Sequence, residues 1–330
     1  MTAHKTVSLL LLVLGISIAA FVVSGQNSDQ NPIQRLTVAD ASQPVFSLLY
    51  IAQERGFFRE EGVEIVFRPF TSGRDALQDT LDGHSDLATS YETPVVLQSL
   101  KGEKLSIVSS LHFSNKNTSM LAHKSSGIEK PSDLVGKTIA IPKNTNAEFF
   151  LNMFLASEGI ELSDVKVIDV RPENMVETFK QKKADAIAVW NPHLYRAKIL
   201  YDEKTVTRFY STAYTEFSVL VGSKSIVNEK ADAIGKLVNA LVKAEAYLQN
   251  HPHQSLDLVI SRLEQHSSES IKGTWDDYQL KIKLNNVLLT ILQQEANWLN
   301  KDIEVELPDF RATIDERFVR AAKENGVTLF

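Results

Sequence analysis

Apolar positions along this chain switch repeatedly between helical and strand spacing. The stretch LLYIAQERGFFREEGVEIV, residues 48–66, shows the pattern first. Val45, Leu48, Leu49, Ala52 and Phe57 recur at helical spacing, Gly56 and Gly62 punctuate the helix, and residues 63–67 continue as a strand. Around it, residues 36–39, 86–88 and 105–111 read as strands, and 76–81 and 94–100 as helices. The order then repeats. Strands are predicted at 138–141, 165–170 and 185–189, and helices at 147–157, 172–182 and 192–200. The segment FFLNMFLASEGIELSDVKVIDV, residues 149–170, parallels the opening stretch. Leu77, Leu81 and the run Asp86 to Ala88 likewise have counterparts in Val176, Phe179 and the run Asp185 to Ala188. Strands alternating with helices imply parallel strands joined by right-handed crossovers.

From Ala231 onward the pattern is helical only, with helices predicted at 234–248, 253–263 and 277–299. Leu280, Ile282, Leu284, Val287, Leu288, Ile291 and Leu292 form the expected apolar face of the last. The fold class is therefore α/β, with two matching lobes and a helical C-terminal extension packed on the first. Lobe one is read as residues 33–116 with 216–330, and lobe two as 117–215. The chain crosses between them near 114–119 and 214–217, and two crossings make a hinge.

The first 25 residues change this picture. One lysine in MTAHK, a nearly all-apolar run over residues 7–23 and a small-residue exit predict a secretory signal peptide cut after Gly25, followed by a flexible lead-in over 26–32. An uncleaved N-terminal anchor is the alternative. An exported, periplasmic location follows from either. The 330 residues contain no cysteine, which excludes disulfides, thiolate metal sites and cysteine nucleophiles. A formal charge of −6 gives no reason to expect nucleic acid as a partner. Phosphate-loop, dinucleotide, nucleophile-elbow and zinc-protease motifs are absent from the sequence. His251 and His253 read as a surface loop, so no metal and no cofactor are expected, and the chain is read as a monomeric binding protein, not an enzyme.

Candidate chemistry lies in the turns at the carboxyl ends of the strands, where ligands bind in open α/β folds. Ser42 and Gln43 follow the first strand, and Ser72, Gly73 and Arg74 the second. Tyr91, Glu92 and Thr93 follow the third. In the second half Asn144, Thr145 and Asn146 follow one strand, and Trp190 and Asn191 another, with His193 one turn on. Phe113 and Glu216 fall at the two crossings. Ser72 with Asp75 and Thr145 with Glu148 have capping-box spacing, while Thr93 and Asn191 each precede a proline as expected N-caps. Several helix N-termini facing one cleft suit carboxylate, sulfonate or nitrate oxygens. The acids complicate that reading. Glu148 fits a cap. Glu92 fits a helix-start acid equally well, and if it or Glu216 faces the ligand, an amine or other hydrogen-bond donor on that ligand explains it. Arg74 fits either a countercharge or a solvated side chain, and Trp190 either a stacking surface or core.

These residues resemble the ABC-transporter substrate-binding proteins of the nitrate/sulfonate/taurine type, a branch of the class II periplasmic binding proteins. The resemblance spans roughly residues 33–325 and rests on IAQERGFFREEGVEIVF, DTLDGHSDLATSYETPVV, SSGIEKPSDLVGKTIAIPKNTNAEFFL, ADAIAVWNPH, and LLTILQQEANWL with LPDF, in that order. It implies a two-lobed flytrap that hands a small anionic or zwitterionic ligand to a membrane permease driven by an ATPase. By position it implies binding at Ser42, Gln43, Ser72, Gly73, Tyr91 to Thr93, Asn144 to Asn146, Trp190 and Asn191. The family usually has an acid between the tryptophan and the proline, where this chain has Asn191. Two neighbouring functions share the fold: a sensor presenting its ligand to a receptor kinase, and a binder of the thiamine pyrimidine or a related heterocycle.

Overall fold

The computed structural model describes residues 33–330 apart from residue 212, and the side chains of residues 302 and 303 are likewise not described. The expected signal peptide and lead-in lie outside the described residues. Among those residues no helix is long and apolar enough to cross a membrane.

Eleven strands build two sheets. They are β1 (Gln34–Asp40), β2 (Val63–Pro69), β3 (Leu87–Tyr91), β4 (Leu105–Ser114), β5 (Thr118–His123), β6 (Thr138–Ile141), β7 (Lys166–Asp169), β8 (Ala186–Trp190), β9 (Val206–Phe209), β10 (Glu216–Ser223) and β11 (Gln279–Leu280). The first sheet has the order β11-β4-β10-β3-β1-β2 and the second β7-β6-β8-β5-β9. The two-lobed α/β architecture is thus present. Parallel pairing holds for β1 with β2 and β3, and for β6 with β7 and β8. It fails elsewhere. β10 lies antiparallel between β3 and β4, and β5 lies antiparallel between β8 and β9. β5, β9 and β10 have no counterpart among the predicted strands. β10 is buried at seven of its eight positions, so it lacks the alternation that marks a half-exposed strand.

The helix Ser47–Glu54 buries Leu48, Leu49, Ile51 and Ala52 completely, and packs against the helices Ala231–Asn250 and Pro252–Arg262. The last predicted helix is corrected. Residues 278–285 are not helical: Leu280 pairs with His112 of β4, and the two-residue strand Leu284–Asn285 pairs with Val327–Thr328. The helix runs Asn286–Ile303, capped by the Asn285 carboxamide, which accepts from the Leu288 N–H at 3.0 Å. Leu280, Ile282 and Leu284 are buried while Lys281 is exposed, so the spacing there is two, not 3.6. Val287, assigned to the apolar face, is half exposed.

Candidate functional site

The carboxyl ends of β1, β3 and β8, the start of β10 and the loop after β6 meet between the two sheets. Tyr91 ends β3 and Trp190 ends β8, and their rings stand 6.0 Å apart across the lobes, both buried. The Tyr91 hydroxyl donates to the Gln43 side-chain Oε1 at 3.1 Å and accepts from the Asn117 carboxamide at 3.4 Å. Asn117 also donates to Glu216, and the Glu216 carboxylate accepts further bonds from the Thr118 hydroxyl and, at 3.1 Å, from the Asn146 carboxamide. The helix Asn146–Ser157 places Asn146 there because Thr145 caps it: the hydroxyl accepts from the Ala147 N–H at 3.3 Å. Trp190 leads to His193, whose ring is 6.3 Å away, and His193 to His266, 6.0 Å further. The His266 Nε2 meets the Ser42 carbonyl at 3.0 Å, closing the circuit on the loop that carries Gln43.

Several buried polar atoms in this circuit have no partner among the described residues. They are Gln43 Nε2, Asn117 Oδ1, Asn146 Oδ1, Trp190 Nε1, His193 Nδ1 and both side-chain atoms of Asn191. An unpaired buried polar group costs about 1–3 kcal/mol, so a cluster of them on facing elements is suited to a polar ligand offering both donors and acceptors.

The electrostatics are one-sided. Burial pushes the Glu216 carboxyl up to about 7, against the hydrogen bonds from Thr118, Asn117 and Asn146. Glu92 is also raised by burial and by the charge of Glu216; it accepts from the Tyr214 hydroxyl and, at 3.0 Å, from the Phe217 N–H. Glu295, beside it, is raised by burial and by Glu92, and accepts from the Thr93 hydroxyl at 2.9 Å. Among the described residues no lysine or arginine bonds to any of the three. Burial pushes the His193 imidazole down to about 3, helped by His266 and Arg196, so it is neutral at pH 7.

The structure therefore brings together Gln43, Tyr91, Asn146, Trp190, Asn191, His193 and Glu216, with Ser42 at the rim. Glu92 and Thr93 sit one layer behind, committed to Tyr214 and Glu295. Their helix begins at Glu92 with Tyr91 in the capping position, so Thr93 is not its N-cap. Asn191 is not a cap either: the following helix is His193–Lys198, and the carboxamide stays free for the cleft. Ser72 is spent capping the helix Gly73–Leu81, and Gly73 sits so tightly on β3 that a Cβ would lie 2.8 Å from the Ser90 Cα. The Asn144 N–H donates to Glu148 at 2.7 Å, with its backbone left-handed at φ 60°. Arg74 lies at the cleft edge, donating to the Lys143 carbonyl at 2.8 Å. Phe113 packs 5.8 Å from Phe217 and lines a separate cavity of about 350 Å³ with Lys116, Asp276 and Asp277. Asn117 and His266 belong to the circuit and were not singled out from sequence. Asn117 falls in the first crossing; His266 is some 224 positions from the residue it touches, and no local signal announces it.

Two lobes with buried polar side chains meeting between them make up the periplasmic-binding-protein fold. The periplasmic aliphatic sulphonate binding protein of Escherichia coli superposes with a TM-score of 0.72 at 19% identity, over 87% of this chain and 98% of that one. The formylaminopyrimidine-binding protein of Halalkalibacterium halodurans is 27% identical over 277 residues, 80% of this chain and 81% of its own. A Bacillus subtilis protein named for aliphatic sulfonate binding is 23% identical over 315 residues, 91% and 92% of the two chains. The NMT1/THI5-like family model matches residues 43–255, and the chain belongs to that family.

Proposed function

We propose that this chain is a periplasmic receptor that closes around a small nitrogen-bearing solute and delivers it to an ABC permease with its ATPase. The solute is either zwitterionic or an amino-substituted heterocycle of the aminopyrimidine kind. The observation that carries this reading is Glu216. It is a buried carboxylate at the meeting point of the lobes, held only by neutral donors, beside the unpaired carbonyl oxygens of Asn117 and Asn146. A ligand N–H group satisfies these acceptors, whereas a bare oxyanion meets a like charge. Gln43 Nε2 and Trp190 Nε1 supply donors for the ligand's acceptor atoms, and Tyr91 and Trp190 its apolar walls. Arg196, near enough to depress His193, offers a countercharge for the acidic end of a zwitterion. The formylaminopyrimidine-binding relative supports the heterocyclic form.

The bodies that move are residues 33–116 with 216–330, and 117–215, hinged where β4 passes into β5 and where the chain enters β10. The protein acts as a monomer exported by its N-terminal segment.

Thermal-shift screening of the exported chain tests the ligand class. Aminopyrimidines, amino acids and aminosulfonates are compared with nitrate and simple alkanesulfonates. A ligand at 100 times its Kd stabilises by about 2.7 kcal/mol. The nitrogen-bearing solutes are expected to shift the melting temperature and Glu216→Gln to remove the shift. A response to nitrate or methanesulfonate alone overturns the proposal.

A further inference from the structure

Loops from the two lobes also meet on the solvent side of the cleft, through side chains that the binding circuit does not use. Asp75 lies in the first turn of the helix Gly73–Leu81, after β2 of the first lobe. Its carboxylate accepts from Arg74 at 3.1 Å and from Arg171 at 3.2 Å. Arg171 follows β7 of the second lobe and also reaches the Thr71 hydroxyl at 3.5 Å and Glu173 at 2.7 Å. Arg74 crosses in the opposite direction, donating to the Lys143 carbonyl at 2.8 Å. Two arginines, one from each lobe, thus share one carboxylate, and each bridges to the other lobe.

We propose that Arg74, Asp75 and Arg171 form an interlobe clasp that favours the closed arrangement even without ligand, and that these residues set how long the cleft stays shut. The landing points explain the coupling. Lys143 immediately precedes Asn144 to Asn146, and its own N–H is held by Asp169 at 3.0 Å, so the loop moves as a unit. Thr71 to Asp75 includes Ser72, which fixes the start of its helix. Engaging the clasp therefore brings the Asn146 carboxamide to Glu216. The Asp75 and Arg74 side chains are about one-quarter exposed and Arg171 is half exposed. Single exposed ion pairs contribute little, but a shared carboxylate with crossed bonds is a network, and it is screened by salt.

The test needs no ligand, so its failure is separable from failure of the proposed function. The absence of native cysteine allows spin labels at Gln78→Cys and Glu177→Cys, exposed positions on the helices after β2 and β7. Distances are measured by pulsed electron resonance on the ligand-free chain at low salt. The parent is expected to populate a short distance. Asp75→Asn and Arg171→Met are expected to reduce that population about three- to tenfold, and about 1 M salt, where screening acts over roughly 3 Å, to do the same to the parent. Asp75 also stands at a helix start, so Arg171→Met, in an exposed loop, keeps the test open if Asp75→Asn fails to fold. Equal distributions in parent and Arg171→Met, or no short distance in the parent at low salt, overturn the clasp.

Discussion

Glu216 is hydrogen-bonded only to neutral partners, and this has a pH signature. Its folded carboxyl titrates at about 7 against an ordinary 4.5, because burial disfavours its charge. Between those values the folded chain holds a proton that the unfolded chain has lost. That contribution to stability is complete below about pH 4.5 and is lost as pH rises through 7. The melting temperature of Glu216→Gln should therefore fall less than that of the parent between pH 5 and pH 8, and identical slopes would remove this account of Glu216. Trp190 presents the other residue-scale choice. It is 1% exposed, yet its Nε1 has no partner among the described residues, so it is both wall and unsatisfied donor. Trp190→Phe should weaken ligand binding by about tenfold, the worth of one hydrogen bond, while leaving the melting temperature of the free chain within a few degrees. At this scale the sequence named Gln43, Tyr91, Asn146, Trp190, Asn191 and Glu216. It could not say that Asn191 is free of capping, because that depends on where the next helix starts.

Elements were legible where their spacing was unambiguous. The helix Asn146–Ser157 and the strand β2 follow from periodicity and caps, and Thr145→Ala should cost about 1 kcal/mol in chemical denaturation, since it removes the acceptor for the Ala147 N–H. Gly73 is fixed by contact: its place against Ser90 leaves no room for a methyl group. Gly73→Ala is expected to destabilise by about 1–3 kcal/mol through overpacking, and an unchanged denaturation midpoint would show that β3 can give way. Residues 277–285 read as helix because the seven apolar positions assigned to its face over 280–292 fit one, although Leu280, Ile282 and Leu284 alternate. The strand spacing won because β4 offers an open edge to pair with and the Glu245 carboxylate accepts from the Ile282 N–H at 3.1 Å.

Across the whole molecule, β10 decides the architecture. It enters the first sheet between β3 and β4, antiparallel to both, and its first residue is Glu216. The strand that returns the chain from the second lobe thus delivers the carboxylate on which both lobes converge. The sequence by itself determined the doubled winding units, the two lobes and the loops whose side chains meet between them, since periodicity, caps and turn residues are local properties. Only the tertiary structure decided the sheet order, the reversal of β5 and β10, the pairing of Asn117 and His266 with the loops, and the crossing of Arg74 and Arg171. Those depend on which surfaces and charges meet between segments far apart in the chain, and no local spacing encodes such a meeting. It is also why the cleft has an acidic centre where its helix N-termini alone suggested a home for an anion.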